Sequence, residues 1–317
     1  MLISVVVCTY NRAATLDRML SSFFAQRHLD EVEHELVVVD NNSGDATRAV
    51  VERYLSHRSC HYCFEPRQGL SAARNRGVAE ARGDVLAFLD DDVLVARDWL
   101  RGLHACWLET GADAIGGRAL LLIEGAKPSW LGPFFRNLLS EVDFGGMRQH
   151  VYGGRGLWGV NLAFRKDALL AAGGFDERLG RTGSQLLGGE ESALLERIAA
   201  NRGRIVYEPR AAVEHIIGPE RLQWPYFEAL ARSGAKTRWL REAPCGLAWQ
   251  ALRVLRTAIS VAACELGLAM HRLRGSPSYP LRVKRWHRDL HANHLALRWR
   301  QLAERLLGVG HPARTRG

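Results

Sequence analysis

A chain of 317 residues that is 47% hydrophobic and 24% charged can bury a sizeable core, which excludes a disordered or low-complexity polymer. Its net charge of +9 is unevenly placed: residues 232–317 carry 17 Lys+Arg against 4 Asp+Glu, and residues 1–231 carry 26 against 30. A mildly acidic body with a basic tail directs the tail at an anionic partner, phospholipid headgroups or nucleic acid, unless the tail only solubilises.

Residues 1–8 lack a basic n-region and enter a β-branched run at 3–8, so they read as a strand and not as a signal peptide. The run ends at Thr9-Tyr-Asn-Arg12, and 15–24 then has helical spacing. A second strand at 35–39 stops at Asp40-Asn-Asn-Ser43 and is followed by a helix over 45–55. A third unit pairs a short strand at 62–65 with a helix opened by Gly69-Leu-Ser-Ala-Ala-Arg-Asn-Arg-Gly77. The apolar run 85–89 reads as a buried strand that delivers Asp90, Asp91 and Asp92 at its carboxyl end. Alternating β and α units with short polar loops predict a parallel sheet covered on both faces. Cys60 and Cys63 form a lone CxxC with no second pair at zinc spacing, so reduced thiols are expected.

Beyond residue 99 the rhythm changes. A strand is expected within 112–122, a Gly-, Pro- and aromatic-rich loop or lid over 123–156, a strand at 157–164 and a short helix at 166–172. Gly188-Gly-Glu-Glu-Ser192 opens a helix over 193–200, with Glu190 and Glu191 where the helix dipole favours negative charge. Short extended pieces at 205–207 and 212–213 precede His215. Residues 247–270 are apolar nearly all round but are interrupted by Arg253, Arg256 and Glu265, which makes them a weak spanning candidate. An in-plane amphipathic helix fits better, with Arg253, Arg256, Arg272 and Arg274 meeting headgroups; a helical cap on the body is the alternative. Ser276-Pro-Ser-Tyr-Pro280 should break it from a last basic helix over 281–307.

Three adjacent carboxylates repel one another unless a cation or hydrogen-bond donors offset them. They form either a solvated turn capping the next helix or a hard-oxygen site for Mg²⁺ or Mn²⁺. Taken with the other strand ends, the pattern resembles the family 2 glycosyltransferases, inverting enzymes of GT-A fold with nucleotide-sugar donors. The matching pieces are Val5-Val-Val-Cys-Thr-Tyr-Asn-Arg12, Val37-Val-Val-Asp-Asn-Asn-Ser43, Gly69 to Gly77 as quoted, Phe88-Leu-Asp-Asp-Asp92 and Gly189-Glu-Glu191, in order over about residues 2–217.

The resemblance implies an α/β GT-A domain at 1–231, with a Rossmann-like, mostly parallel sheet, a nucleotide-binding half at 1–95 and an acceptor half at 96–231. Residues 232–317 would form a basic, membrane-associating helical region. It also implies that Thr9 and Asp40 are the nucleobase and ribose contacts, although Asp40 could instead, or as well, cap the next helix, and that Tyr10, Asn11, Arg12 and Asn42 belong to the donor-binding set. Arg74 and Asn75 would meet the ribose or diphosphate. Asp90 and Asp92 resemble the DxD pair that holds Mn²⁺ or Mg²⁺, with Asp92 the direct ligand, His215 a further ligand or a structural residue, and Asp91 bound to the loop or sugar. Trp158, Gly159 and Asn161 would line the sugar site, with core packing an equal reading for Trp158. Glu191 or Glu190 would be the catalytic base, Glu191 preferred, because this chain has Glu-Glu where the family usually has Glu-Asp. Neither the QxxRW motif nor the spanning helices of processive synthases are found, so a single sugar transfer is expected.

The expected partners are a nucleotide-diphosphate sugar (a UDP-sugar first), a saccharide or polyprenyl-linked acceptor, and an anionic membrane surface met by 247–307. The expected location is the cytoplasmic face of a bacterial membrane. A nucleotidyltransferase would need a Gly-rich, lysine-containing loop after the first strand, which 8–14 lacks. A nucleic-acid-binding protein is disfavoured by the hydrophobic interleaving of the basic tail.

Overall fold

The computed structural model describes residues 1–183, 185–242, 245–273 and 278–307. It divides into two compact units, one made of Met1–Lys127, Pro133–Ser184 and Gly189–Pro219, the other of Pro128–Gly132, Gln185–Gly188 and Glu220–Gly317. The division expected at 231/232 falls inside a helix that spans Trp224–Arg241.

The first unit begins with β1 (Ile3–Thr9), α1 (Ala13–Phe24), β2 (His34–Asp40), α2 (Thr47–Glu52), β3 (Cys60–Phe64), α3 (Leu70–Glu80) and β4 (Val85–Asp90). These strands pair in the order β3-β2-β1-β4, all parallel. Val5, Val6 and Val7 are fully buried, as a parallel strand covered on both faces requires. Register puts Thr9 opposite Asp40 and Cys8 opposite Asp90, so the polar ends of three strands meet along one edge of the sheet.

Next come β5 (Val93–Val95), α4 (Trp99–Thr110), β6 (Ala114–Ile123), α5 (Pro133–Leu138), β7 (Gln149–His150), β8 (Asn161–Arg165), α6 (Lys166–Ala171), α7 (Glu190–Ala200) and β9 (Ile205–Ile217). The sheet continues from β4 through β8, β6 and β9 to β5. Here the pairing is mixed: β6 and β9 are parallel, while β8 runs antiparallel to β4 and β6, and β5 and β7 antiparallel to β9.

Two expectations change here. The pieces expected at 205–207 and 212–213 are one strand, β9, whose register against β6 shifts between Gly117 and Ala119. The segment expected to be loop or lid is partly packed structure: Phe135 and Leu139 are buried, and Val142 bridges to Ala119 of β6. Buried aromatic and leucine side chains in that segment outweigh its Gly and Pro content.

The second unit is helical, with α8 (Trp224–Arg241), α9 (Leu247–Leu273) and α10 (Ser278–Leu306). Trp286 Nε1 on α10 donates to the Phe227 carbonyl of α8 at 2.9 Å, and Ala231, Ala235 and Leu290 are buried around that contact. The last helix starts at Ser278, inside the expected break; Arg274 and the Ser276-Pro277 part of that break lie outside the described residues. Among the described residues no helix is long and apolar enough to cross a membrane.

Candidate active site

The three carboxylates at the end of β4 are offset mainly by the chain's own arginines. Arg12 Nη1 donates to Asp92 Oδ2 at 2.6 Å and to Asp91 Oδ1 at 3.1 Å, and Thr9 Oγ1 donates to Asp91 Oδ2 at 2.8 Å. Arg74 Nη2 approaches Asp90 Oδ1 at 3.4 Å. Burial still pushes the Asp91 carboxyl up to about 6; the Arg12 guanidinium pulls it down while Asp92 repels it. Asp91 and Asp92 therefore belong to a buried ion cluster, with Asp90 half-buried at its rim, and not to a solvated turn.

Arg74 links this edge to a second carboxylate pair. Its Nη1 donates to Glu190 Oε1 at 2.7 Å, and both side chains are almost fully buried. Glu190 and Glu191 open α7, after Gly189 has turned the chain through φ +90°, a conformation that costs a residue with a side chain dearly. Burial and the neighbouring Glu191 raise the Glu190 carboxyl to about 8, against the pull of Arg74. Oε2 of Glu190 and Oε2 of Glu191 are both buried without a hydrogen-bond partner among the described residues. Such buried, unsatisfied oxygens are costly and call for a ligand or proton.

Gly159 makes the Arg74 position possible. A Cβ there would stand 2.5 Å from Arg74 Nη2, and the Gly159 carbonyl accepts from that same nitrogen at 3.5 Å. The close approach expected of a sugar at this glycine is made by the guanidinium.

His215 is brought beside the triplet by strand pairing, because Val93, next to Asp92, lies opposite it. Its Nδ1 is 3.0 Å from the Leu139 carbonyl oxygen, a contact that needs the proton on Nδ1. A neutral ring then turns its Nε2 lone pair toward Asp92 Oδ1 at 3.3 Å. Two electron-rich atoms facing each other suit a divalent cation or a ring proton between them. Among the described residues no three His, Cys, Asp or Glu side chains gather closely enough to hold an ion by themselves. Asp92 and His215 thus fit as two protein ligands of a site completed from elsewhere, while Asp90 is turned toward Arg74.

At the end of β2, Asp40 accepts from the Ser43 N–H at 2.9 Å and from the Tyr62 hydroxyl at 2.8 Å. Ala46 is the N-cap of α2, so Asp40 does not cap it; Asp45 accepts from the Thr47 N–H that opens α2 and from the Ala13 N–H that starts α1. Tyr10 and Asn42 are exposed. Asn11 accepts from the Gly44 N–H at 2.7 Å and so ties the β1–α1 loop to the β2–α2 loop.

Two residues expected in the site serve the scaffold. Asn161 accepts from Trp99 Nε1 and donates to the Arg118 and Ala211 carbonyls, which consumes its amide. Asn75 pairs through both amide atoms with the backbone of Phe175. Trp158 packs half-buried against the core, with its Nε1 buried and without a hydrogen-bond partner among the described residues. Tyr62 and Leu139 escaped the sequence reading: one is an aromatic inside a strand, and the other acts through a carbonyl that any residue would supply.

Comparison with known proteins gives a consistent picture. Residues 4–170 match the sequence model of Glycosyl transferase family 2. The glucosyl-dolichyl phosphate glucuronosyltransferase of Haloferax volcanii is 30% identical over 68% of this chain and 69% of its own length. The succinoglycan biosynthesis protein ExoM of Rhizobium meliloti is 29% identical over 70% of each. Among solved structures, the Pyrobaculum calidifontis mannosyltransferase PcManGT, in complex with GDP-Man and Mn²⁺, superposes with a TM-score of 0.59 over 95% of this chain and 86% of that one, at 19% identity. S. aureus TarS superposes with a TM-score of 0.53 over 74% of this chain, which spans 39% of that longer protein, at 20% identity. The curved α/β sheet with its flanking helices is thus a GT-A fold.

Proposed function

The chain belongs to glycosyl transferase family 2, and from that premise we propose that it moves one sugar, with inversion, from a nucleotide-diphosphate sugar to a saccharide carried on a lipid. The observation that carries this reading is the buried link Asp90–Arg74–Glu190, which ties the donor edge of the sheet to the carboxylate pair of α7.

Thr9, Asp40 and Tyr62 stand where a nucleoside would lie, with Asp40 accepting from a base N–H or ribose hydroxyl. Arg12, the more exposed of the two arginines, would offer its planar fork to the diphosphate oxygens, while Arg74 stays committed to Glu190 and Asp90. Asp92 and His215 would hold Mn²⁺ or Mg²⁺, which would supply Lewis-acid chemistry at the leaving diphosphate. Glu191 takes the proton of the acceptor hydroxyl, and that oxygen bonds to the anomeric carbon from the face opposite the nucleotide. The bond to the diphosphate breaks with its electron pair going to the leaving oxygen. Glu190, clamped by Arg74 in a buried pair, is held out of the base's role. A UDP-sugar is the first donor to try and a GDP-sugar the second.

The lipid-linked acceptor is supported by the dolichyl-phosphate substrate in the name of the Haloferax volcanii relative, and surface-polysaccharide assembly by the succinoglycan protein. Attachment to the inner face of a bacterial membrane is supported by α9. Its Leu252, Leu255, Ile259, Leu266, Met270 and Leu273 are all exposed and recur at helical spacing along one face.

The test is a nucleotide-sugar panel with Mn²⁺ and a lipid-linked saccharide, read by proton NMR at the new anomeric centre. Inversion is the expected result, and retention would sink the single-displacement reading.

A further inference from the structure

The helical second unit encloses a charged cavity that the transfer reaction does not use. It is an open cavity of about 620 Å³ between α8, α9 and α10, and five of its lining residues are arginines: Arg238, Arg241, Arg253, Arg256 and Arg298. A single carboxylate, Glu242, faces them. That carboxylate is already committed. Arg298 Nε donates to it at 3.1 Å, His294 Nε2 lies 2.9 Å away, and Arg253 stands 3.6 Å off. Although burial raises its pKa, these partners hold Glu242 at about 2, so it stays ionised throughout the physiological range.

Arg238 and Arg256 have no carboxylate partner among the described residues. Burial lowers the Arg238 pKa, and the neighbouring Arg298 lowers it further. An accumulation of guanidinium groups this close is unfavourable by itself and is relieved by a bound anion. Arg253 and Arg256 also sit on α9 beside its exposed apolar stripe, where Leu252, Leu255 and Ile259 are their neighbours.

We propose that this cavity is a phosphate-binding site that takes the phosphate head of an anionic amphiphile, with Arg238 and Arg256 supplying the free forks. Two or more guanidinium groups around one tetrahedral oxyanion match its geometry and charge in a way that scattered lysines do not. The same chemistry would accept a soluble diphosphate, so the source is decided by experiment. The lipid source rests on the surface attachment proposed above, and the soluble source does not.

The full chain is compared with Arg238→Gln/Arg256→Gln and with a charge-matched control, Lys284→Gln/Arg300→Gln, whose cations lie outside the cavity. Binding is measured to vesicles of phosphatidylcholine alone and of phosphatidylcholine mixed with phosphatidic acid. Thermal shift is measured in parallel with inorganic diphosphate alone. The cavity variant should lose about tenfold or more in affinity for the phosphatidic acid vesicles relative to the control, and diphosphate should compete. A diphosphate shift lost only in the cavity variant, with vesicle binding equal in the two variants, also supports the site and assigns a soluble ligand. If the two variants behave alike in both assays, the arginines contribute only bulk charge and the proposal is overturned. Membrane binding that fails altogether, while the parent shows a diphosphate shift that the cavity variant loses, counts against the attachment and leaves the site standing.

Discussion

Glu190 and Glu191 are neighbours in sequence that differ in what restrains them. Arg74 grips Glu190 in a buried pair, while burial and Glu191 keep its carboxyl raised to about 8. A carboxyl whose folded pKa exceeds its unfolded value binds more protons in the folded state. The stability it contributes is complete below about pH 4.5 and is lost as the pH rises to about 8. Asp91, raised to about 6, acts in the same direction over a narrower window. Unfolding free energy measured against pH should therefore decline across this range, and Glu190→Gln, which mimics the neutral acid, should flatten the decline. An unchanged slope in the variant would show that Glu190 is ionised in the folded protein at neutral pH.

At the scale of elements, the strands and their polar ends were legible because a buried parallel strand has a plain signature: an apolar run that stops at Asp, Asn or Thr. β1, β2 and β4 all carry it. The second half of the sheet was less so. β9 reads in sequence as two fragments because Arg210, Glu214 and other polar residues interrupt it, yet its pairing with β6 and β5 holds it continuous. Roles in the site divide the same way. The acidic triplet and the Glu pair stand out as residue types, whereas the scaffold duty of Asn75 and Asn161 depends on which backbone carbonyls come within reach.

α5 shows how an element of unremarkable sequence reaches the site, since the Leu139 carbonyl just beyond it orients His215. Phe135 anchors that helix with no exposed surface. Phe135→Ala should cost about 3–5 kcal/mol in urea unfolding. It should also weaken the thermal shift produced by Mn²⁺ with a nucleotide diphosphate. A destabilised variant with an undiminished metal response would separate α5 from His215.

For the whole molecule, charge and apolar surface are partitioned: the acid-rich site lies in the α/β unit, and the basic, apolar-striped helices form the other. Leu255→Glu with Ile259→Glu changes two exposed positions and should leave the fold intact. If α9 lies on lipid, losing two buried leucine-sized side chains should lower vesicle binding by about tenfold or more. Equal pelleting of variant and parent would place the helix in a capping role.

The central claim is that Glu191 on α7 takes a proton from the acceptor while the donor is gripped at the carboxyl ends of β1, β2 and β4. Its most direct test is Glu191→Gln, assayed for donor binding by calorimetry and for sugar transfer under saturating donor and Mn²⁺. Donor affinity should stay near that of the parent while transfer falls by about 10²–10⁴-fold. Transfer at the parent rate would contradict the account.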